Sequence, residues 1–180
     1  TGAGSAWIFE YDETNTGGLN DGWVEASGTL SHTGKGYMAE FPGNASVTLS
    51  YTGALNSGTQ AVAITNTSSG TVENDAWNLV GNPYPAPVIY GSLTWTAAEG
   101  VFKPGGFYVY DGDNGDYTPF NPSNAIGVGQ SFWVQAASGS GTLTFEEAHK
   151  STSSSPFIRS ANDPEFFALR VEEASGKWSR

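Results

Sequence analysis

The sequence predicts an all-β fold, an antiparallel β-sandwich of jelly-roll type with about ten short strands. Three observations carry that expectation. Short runs of β-branched and aromatic residues recur along the chain, separated by clusters of Gly, Asn, Asp and Pro. Alternation with period two is clean in several runs. In "FYVYD", Phe107, Val109 and Asp111 point away from Tyr108 and Tyr110; in "FFALRVEE", Phe167, Leu169 and Val171 oppose Ala168, Arg170 and Glu172. Helical periodicity is almost missing, whereas a parallel sheet would need long helices between its strands. A β-barrel is the second architecture that fits this pattern.

In chain order, strands are expected over residues 6–11, 22–27, 36–41, 46–51, 60–65, 77–80, 106–111, 117–121, 130–136, 141–146 and 165–173. Short helical turns are expected at 96–100 and 146–151. Residues 1–147 form the sandwich module. The stretch "AHKSTSSSPFIRSANDP" (148–164) reads as a Ser-rich linker or long loop. Residues 165–180 hold a final strand that either returns to the sandwich or opens a following domain. The opening "TGAGSAWIF" and the closing "EEASGKWSR" read as interior stretches, so a fragment of a larger chain is expected.

Composition narrows the function classes. The chain has 180 residues, with 6 Trp, 8 Tyr and 10 Phe, enough apolar area for a core that needs no disulfide or structural metal. Charged residues are only 14%, against about 25% in ordinary soluble domains. Solubility must therefore come from Ser, Thr, Asn, Gln and Gly, the usual coat of extracellular bacterial modules. The net charge of −11 repels phosphate backbones and anionic lipid surfaces, so nucleic acid is not an expected partner. Cysteine is absent, which removes thiolate catalysis and Cys-based zinc sites. No apolar run approaches the roughly 20 residues of a membrane helix, so no membrane insertion is expected.

"WNLVGNPYPAPVIY" (77–90) ends an apolar strand in a stiff corner of Gly81, Asn82, Pro83, Tyr84 and Pro85. Asn82, preceding proline, is pushed out of the helical region. The prolines fix φ and remove donors, so the ladder cannot continue. The corner therefore places Tyr84 reproducibly, wedged between sheets at a crossover; its Tyr-Pro step admits a cis peptide, with trans the favoured form.

The blocks "GKGYMAEFPGNASVTLSYTGALNSG" (34–58), "AWNLVGNPYPAPVIY" (76–90), "GFYVYDGDNGDYTPFNP" (106–122) and "AIGVGQSFWVQAASGSGTLTF" (125–145) occur in this order. Together they resemble a β-rich region of secreted and surface proteins of the Bacteroidota. That region lies upstream of the C-terminal sorting domain used by type IX secretion. The resemblance covers roughly residues 5 to 173 and implies export as part of a multidomain protein, at an extracellular or outer-surface location. It would make residues 165–180 either a returning strand or the start of the sorting domain. It carries no catalytic residues. This chain departs from the family after the corner, reading "APVIYGSLTW" where a single proline and an acidic-aromatic pair are usual.

Candidate sites are few. "DGDNGDY" (111–117) reads first as a polar hairpin with Asn114-Gly115 as its turn, and it also offers Asp111, Asp113 and Asp116, hard oxygen ligands of the kind Ca2+ takes. The loop "YDETNTGGLND" (11–21) is a second acidic, Gly-rich stretch. Trp7, Trp77 and Trp133 sit in apolar alternation and are expected in the core. Trp23, Trp95 and Tyr117 lie near turns and are the candidates for stacking on sugar in a polysaccharide or cell-surface glycan. His32 and His149 lack a Gly-x-Ser-x-Gly elbow or a second His at i+4. The expected function is a non-catalytic module next to other domains of its parent chain, acting as spacer or adhesion platform. The alternatives are a calcium-supported carbohydrate-binding module and, third, a hydrolase fragment.

Overall fold

Alternation becomes strand pairing in the computed structural model, which describes residues 7–15, 22–27, 30, 33–40, 53–67, 76–96, 106–112, 115–136 and 139–152. The strands are β1 (Trp7–Tyr11), β2 (Trp23–Glu25), β3 (Met38–Glu40), β4 (Gln60–Ile64), β5 (Trp77–Gly81) and β6 (Val88–Ile89). They continue with β7 (Thr94–Thr96), β8 (Phe107–Asp111), β9 (Asp116–Phe120), β10 (Ala125–Ile126), β11 (Ser131–Gln135) and β12 (Gly141–Phe145). Single 3-10 turns occupy Tyr90–Ser92 and Glu147–His149.

Four antiparallel pairings are nested one inside another: β4 with β12, β5 with β11, β6 with β10, and β8 with β9. They behave as one long hairpin folded over itself, which sends alternate pairs into opposite sheets. One sheet runs β5-β11-β8-β9; the other runs β4-β12-β7, with the β6–β10 pair across the 3-10 turn from β7. Taking β6 and β7 as one strand interrupted by that turn gives the jelly-roll order. A bridge between Val88 and Lys150 continues β6 along the chain leaving β12. Neither sheet closes on itself, so the barrel alternative is set aside.

The core lies between the two sheets. Val80, Phe107, Val109, Phe132 and Val134 come from one side; Ile64, Leu143 and Phe145 come from the other, and all are buried. Strand β8 shows why: Phe107 and Val109 face in, while Tyr108 and Tyr110 face out. Phe107 stacks on Phe120 at 5.3 Å and meets Phe132 edge-on at 5.6 Å. Such aromatic pairs add about 1 kcal/mol each beyond the area they bury.

A third sheet, ordered β2-β1-β3, packs on the outer face of the β5-β11-β8-β9 sheet through Tyr11 and Trp23. The chain before β3 closes the β5 edge. The Gly36 N–H donates to the Leu79 carbonyl at 3.0 Å, and the Gly81 N–H donates to the Gly34 carbonyl at 2.9 Å. An edge strand that would otherwise offer free backbone groups is thereby covered. Gly34 has φ +79 and lies so close to Val62 that an added Cβ would collide with its Cγ2. Gly34→Ala is therefore expected to cost about 2 kcal/mol, from the left-handed backbone and a stiff β-branched neighbour. Urea unfolding checks it; an unchanged midpoint would contradict this packing.

Several expectations need correction. The sequence reading missed β6, β7 and β10. Thr96 ends β7, and the rest of the turn expected over 96–100 lies outside the described residues; a 3-10 turn occupies Tyr90–Ser92. The turn expected over 146–151 is present in part, at Glu147–His149. Trp7 is not core: it is 38% exposed. Of the stretch expected as a Ser-rich linker or long loop, residues 148–151 lie against the sandwich: His149 is buried and the Ser151 N–H donates to the Pro87 carbonyl at 2.8 Å. The strands expected at 46–51 and 165–173, and the remainder of the 148–164 stretch beyond Thr152, lie outside the described residues.

Candidate functional site

Two places gather the residues singled out in the sequence: the proline corner and the outer face of the β5-β11-β8-β9 sheet.

At the corner the chain leaves β5 and crosses to β6 in the opposite sheet. Asn82 is buried, and its amide nitrogen donates to the carbonyls of Ala86 at 2.9 Å and Gly127 at 3.0 Å. Its side-chain oxygen accepts the Tyr84 N–H at 3.0 Å, and its backbone N–H donates to the Gln130 carbonyl at 3.0 Å. Buried Gln130 accepts the Gly127 N–H at 2.8 Å. One amide thus ties the β5–β6 crossover to the β10–β11 connection beside it. The prolines stop the ladder at Gly81, and Asn82 supplies the hydrogen bonds that the ladder no longer can.

Tyr84 fills the gap between sheets at this end. Its ring is buried, meets Phe145 edge-on at 6.3 Å and lies 4.4 Å below the Lys150 ammonium. Its hydroxyl donates to the Gly58 carbonyl at 2.6 Å. Desolvation, then the charges of Glu147 and Glu146, pushes that hydroxyl above its ordinary pKa of 10.0. It is a structural donor.

Glu147 completes the corner by accepting from Lys150 Nζ at 2.6 Å and from the Gly58 N–H at 2.7 Å. The Lys150 hydrogen bond first, then the Gly58 one, holds its carboxyl below the ordinary 4.5. A depressed carboxyl contributes stability that is present above pH 4.5 and lost as pH falls through the lower folded value. Thermal melting across acid pH should therefore show the parent protein losing stability more steeply than Glu147→Gln. Parallel curves would contradict the assignment.

His149 has a similar fate. It is buried, and its Nδ1 accepts the Glu146 N–H at 3.0 Å in a reciprocal cap of the Glu147–His149 turn. His32 lies outside the described residues.

On the outer sheet face, the register places Trp77, Leu79, Ser131, Trp133, Gln135, Tyr108, Tyr110, Tyr117 and Pro119 on one side. None carries a charge. Trp133 is the hub, with Tyr11 at 4.7 Å, Trp23 at 5.5 Å, Tyr117 at 5.9 Å and Trp77 at 6.4 Å, all edge-on. The structure thus brings Trp23 and Tyr117 together, and burial first, then Tyr110 and Asp116, raises the Tyr117 hydroxyl pKa. Trp95 does not join them. It lies in the opposite sheet, half-buried against the core, 5.5 Å from Tyr90. The solvent-facing rings are instead Tyr108, 38% exposed, and Tyr110, 43% exposed. Sequence reasoning used these two only for alternation, although that same alternation put them opposite the core residues Phe107 and Val109.

The β8–β9 hairpin pairs Asp111 with Asp116, and Asp116 accepts the Tyr117 N–H at 2.7 Å. Asp113 and Asn114 lie outside the described residues. Among the described residues, no three His, Cys, Asp or Glu side chains converge as metal ligands.

A cleft of about 470 Å³ opens between the end of β1 and the edges of β4 and β5. Its charged groups are engaged with protein. Lys35 pairs with Glu10 at 2.7 Å, Thr65 Oγ1 donates to Glu13 at 2.7 Å, and Asp12 accepts the Thr14 hydroxyl at 2.6 Å. The Thr14 hydroxyl, then the Thr14 N–H, lowers the Asp12 pKa. Glu13 also accepts the Thr67 N–H, so this carboxylate ties the loop after β1 to the end of β4.

No curated protein and no solved structure matches the chain. The sequence profile of a domain of unknown function, DUF8693, matches residues 2–103, more than half of the chain, and the protein belongs to that family.

Proposed function

We propose that this domain is a non-catalytic β-sandwich module of a larger secreted or cell-surface protein, a stiff spacer and adhesion platform beside a secretion sorting domain. The corner carries this reading. The groups there that could do chemistry elsewhere, His149, Glu147, Asn82 and Tyr84, are all held by backbone N–H and C=O groups. A general base needs a free lone pair facing substrate, and Nδ1 of His149 already accepts from the chain. The likeness to exported Bacteroidota proteins supplies the location. Two measurements test the reading. Antibody raised against the domain should label intact cells that make the parent chain, and purified domain should turn over no ester or glycoside. Hydrolysis abolished by His149→Ala would overturn it.

A second reading, carbohydrate binding, is favoured by one observation: an uncharged, ring-rich sheet face that the third sheet covers only in part.

A further inference from the structure

We infer that Tyr108 and Tyr110 form a contact site for a neutral polysaccharide, on the part of the outer sheet face left open beside the Trp133 cluster. This placement rests on the carbohydrate-binding reading and makes it specific.

The two rings are successive outward residues of β8, so they stand roughly 7 Å apart along a rigid strand. Both are fixed from the side. Tyr108 meets Trp77 edge-on at 5.3 Å, and Tyr110 meets Tyr117 at 5.3 Å. Rings already held in place lose little rotamer freedom when a ligand lands, and each offers a phenol hydroxyl beside an apolar surface. Sugars present C–H patches and hydroxyls together, which suits such rings.

Charge selects the occupant. The chain carries −11, and no outward side chain of this sheet is charged. A polyanion would be repelled, and a second copy would bring another −11 against a face with nothing to compensate it. Addition of a peptide strand at the adjacent edge is opposed by Pro119 of β9, which has no N–H to give. An uncharged polyol lying across the face meets none of these penalties.

Affinity electrophoresis in gels containing mixed-linkage β-glucan, xyloglucan, galactomannan or alginate tests the site, with size-exclusion chromatography alongside. Retardation is expected in at least one of the three neutral polymers, with affinity falling about tenfold in Tyr108→Ala/Tyr110→Ala. The Tyr108→Phe/Tyr110→Phe variant should keep most of it, because the stacking surface survives and folding is not at stake. Trp95→Phe, in the opposite sheet, should bind as the parent does. Binding that persists undiminished in the Ala pair overturns this placement and leaves carbohydrate binding elsewhere on the domain. No retardation in any neutral polymer overturns both. Binding to alginate alone, or dimers that the Ala pair dissolves, would also overturn the inference.

Discussion

Asn82→Asp is expected to lower the unfolding free energy by about 4 kcal/mol at neutral pH, with almost no change in side-chain shape. The native amide donates to two carbonyls, Ala86 at 2.9 Å and Gly127 at 3.0 Å, and accepts from Tyr84. A carboxylate keeps only the last of these. It also turns a negative oxygen toward two carbonyl oxygens in a buried site. Burial and those carbonyls would raise the new carboxyl above its unfolded value near 4, so the penalty stands above that pH and shrinks as acid protonates the group. Asn82→Ala, which leaves the same groups unpaired without adding charge, should cost about 3 kcal/mol at every pH. Urea unfolding of both variants against the parent, at neutral and acid pH, separates the two. A domain of this size has about 5–15 kcal/mol to lose. An Asp variant as stable as the parent at pH 7 would mean that the corner is held by its prolines alone.

Phe132→Ala should be comparable, at about 4 kcal/mol. Phe132 is fully buried on β11, which lies between β5 and β8. Its ring meets Phe107 at 5.6 Å and Tyr90 at 6.1 Å, joining β8 to the 3-10 turn after β6. Removing it takes away apolar area and leaves a hole that paired strands on both sides cannot collapse to fill. Phe132→Leu should recover more than half of the loss. The denaturant midpoint should fall with an unchanged slope, since the surface exposed on unfolding hardly differs. Because Phe107 shares the contact, the Phe107→Ala/Phe132→Ala pair should fall short of the sum of the single changes. A loss below about 1 kcal/mol would place Phe132 outside the core.

Strand identity was largely legible in the chain because a half-buried strand writes its two faces in alternate letters. Residues 107–111 announce themselves in this way, and the structure pairs them with 116–120 in the hairpin expected there. β6 and β10 were missed because two residues hold no period, and β7 because three residues hold barely more. The corner was legible for a different reason: proline and pre-proline limits act within one or two residues of themselves. Its hydrogen bonds were not, since Asn82 reaches Gly127, far along the chain, only after the sheets have crossed.

The aromatic face shows the same division. Trp77 and Trp133 were expected in the core, yet the register puts both on the outer face, and nothing local said that Tyr11 and Trp23 would cover Trp133 while Tyr108 and Tyr110 stayed in solvent. Trp7 and Trp95 were placed on the wrong sides for this reason. The chain alone thus determined the β architecture, the absence of thiol chemistry and a charge unsuited to polyanions. Each follows from composition or from neighbours in sequence. Only the tertiary structure decided which face of each sheet is wet, which acids are tied to backbone and which rings are left open. Those depend on segments distant in sequence: Tyr37 and Ser131, 94 positions apart, exchange hydrogen bonds through one hydroxyl. No local pattern encodes a partner that far away.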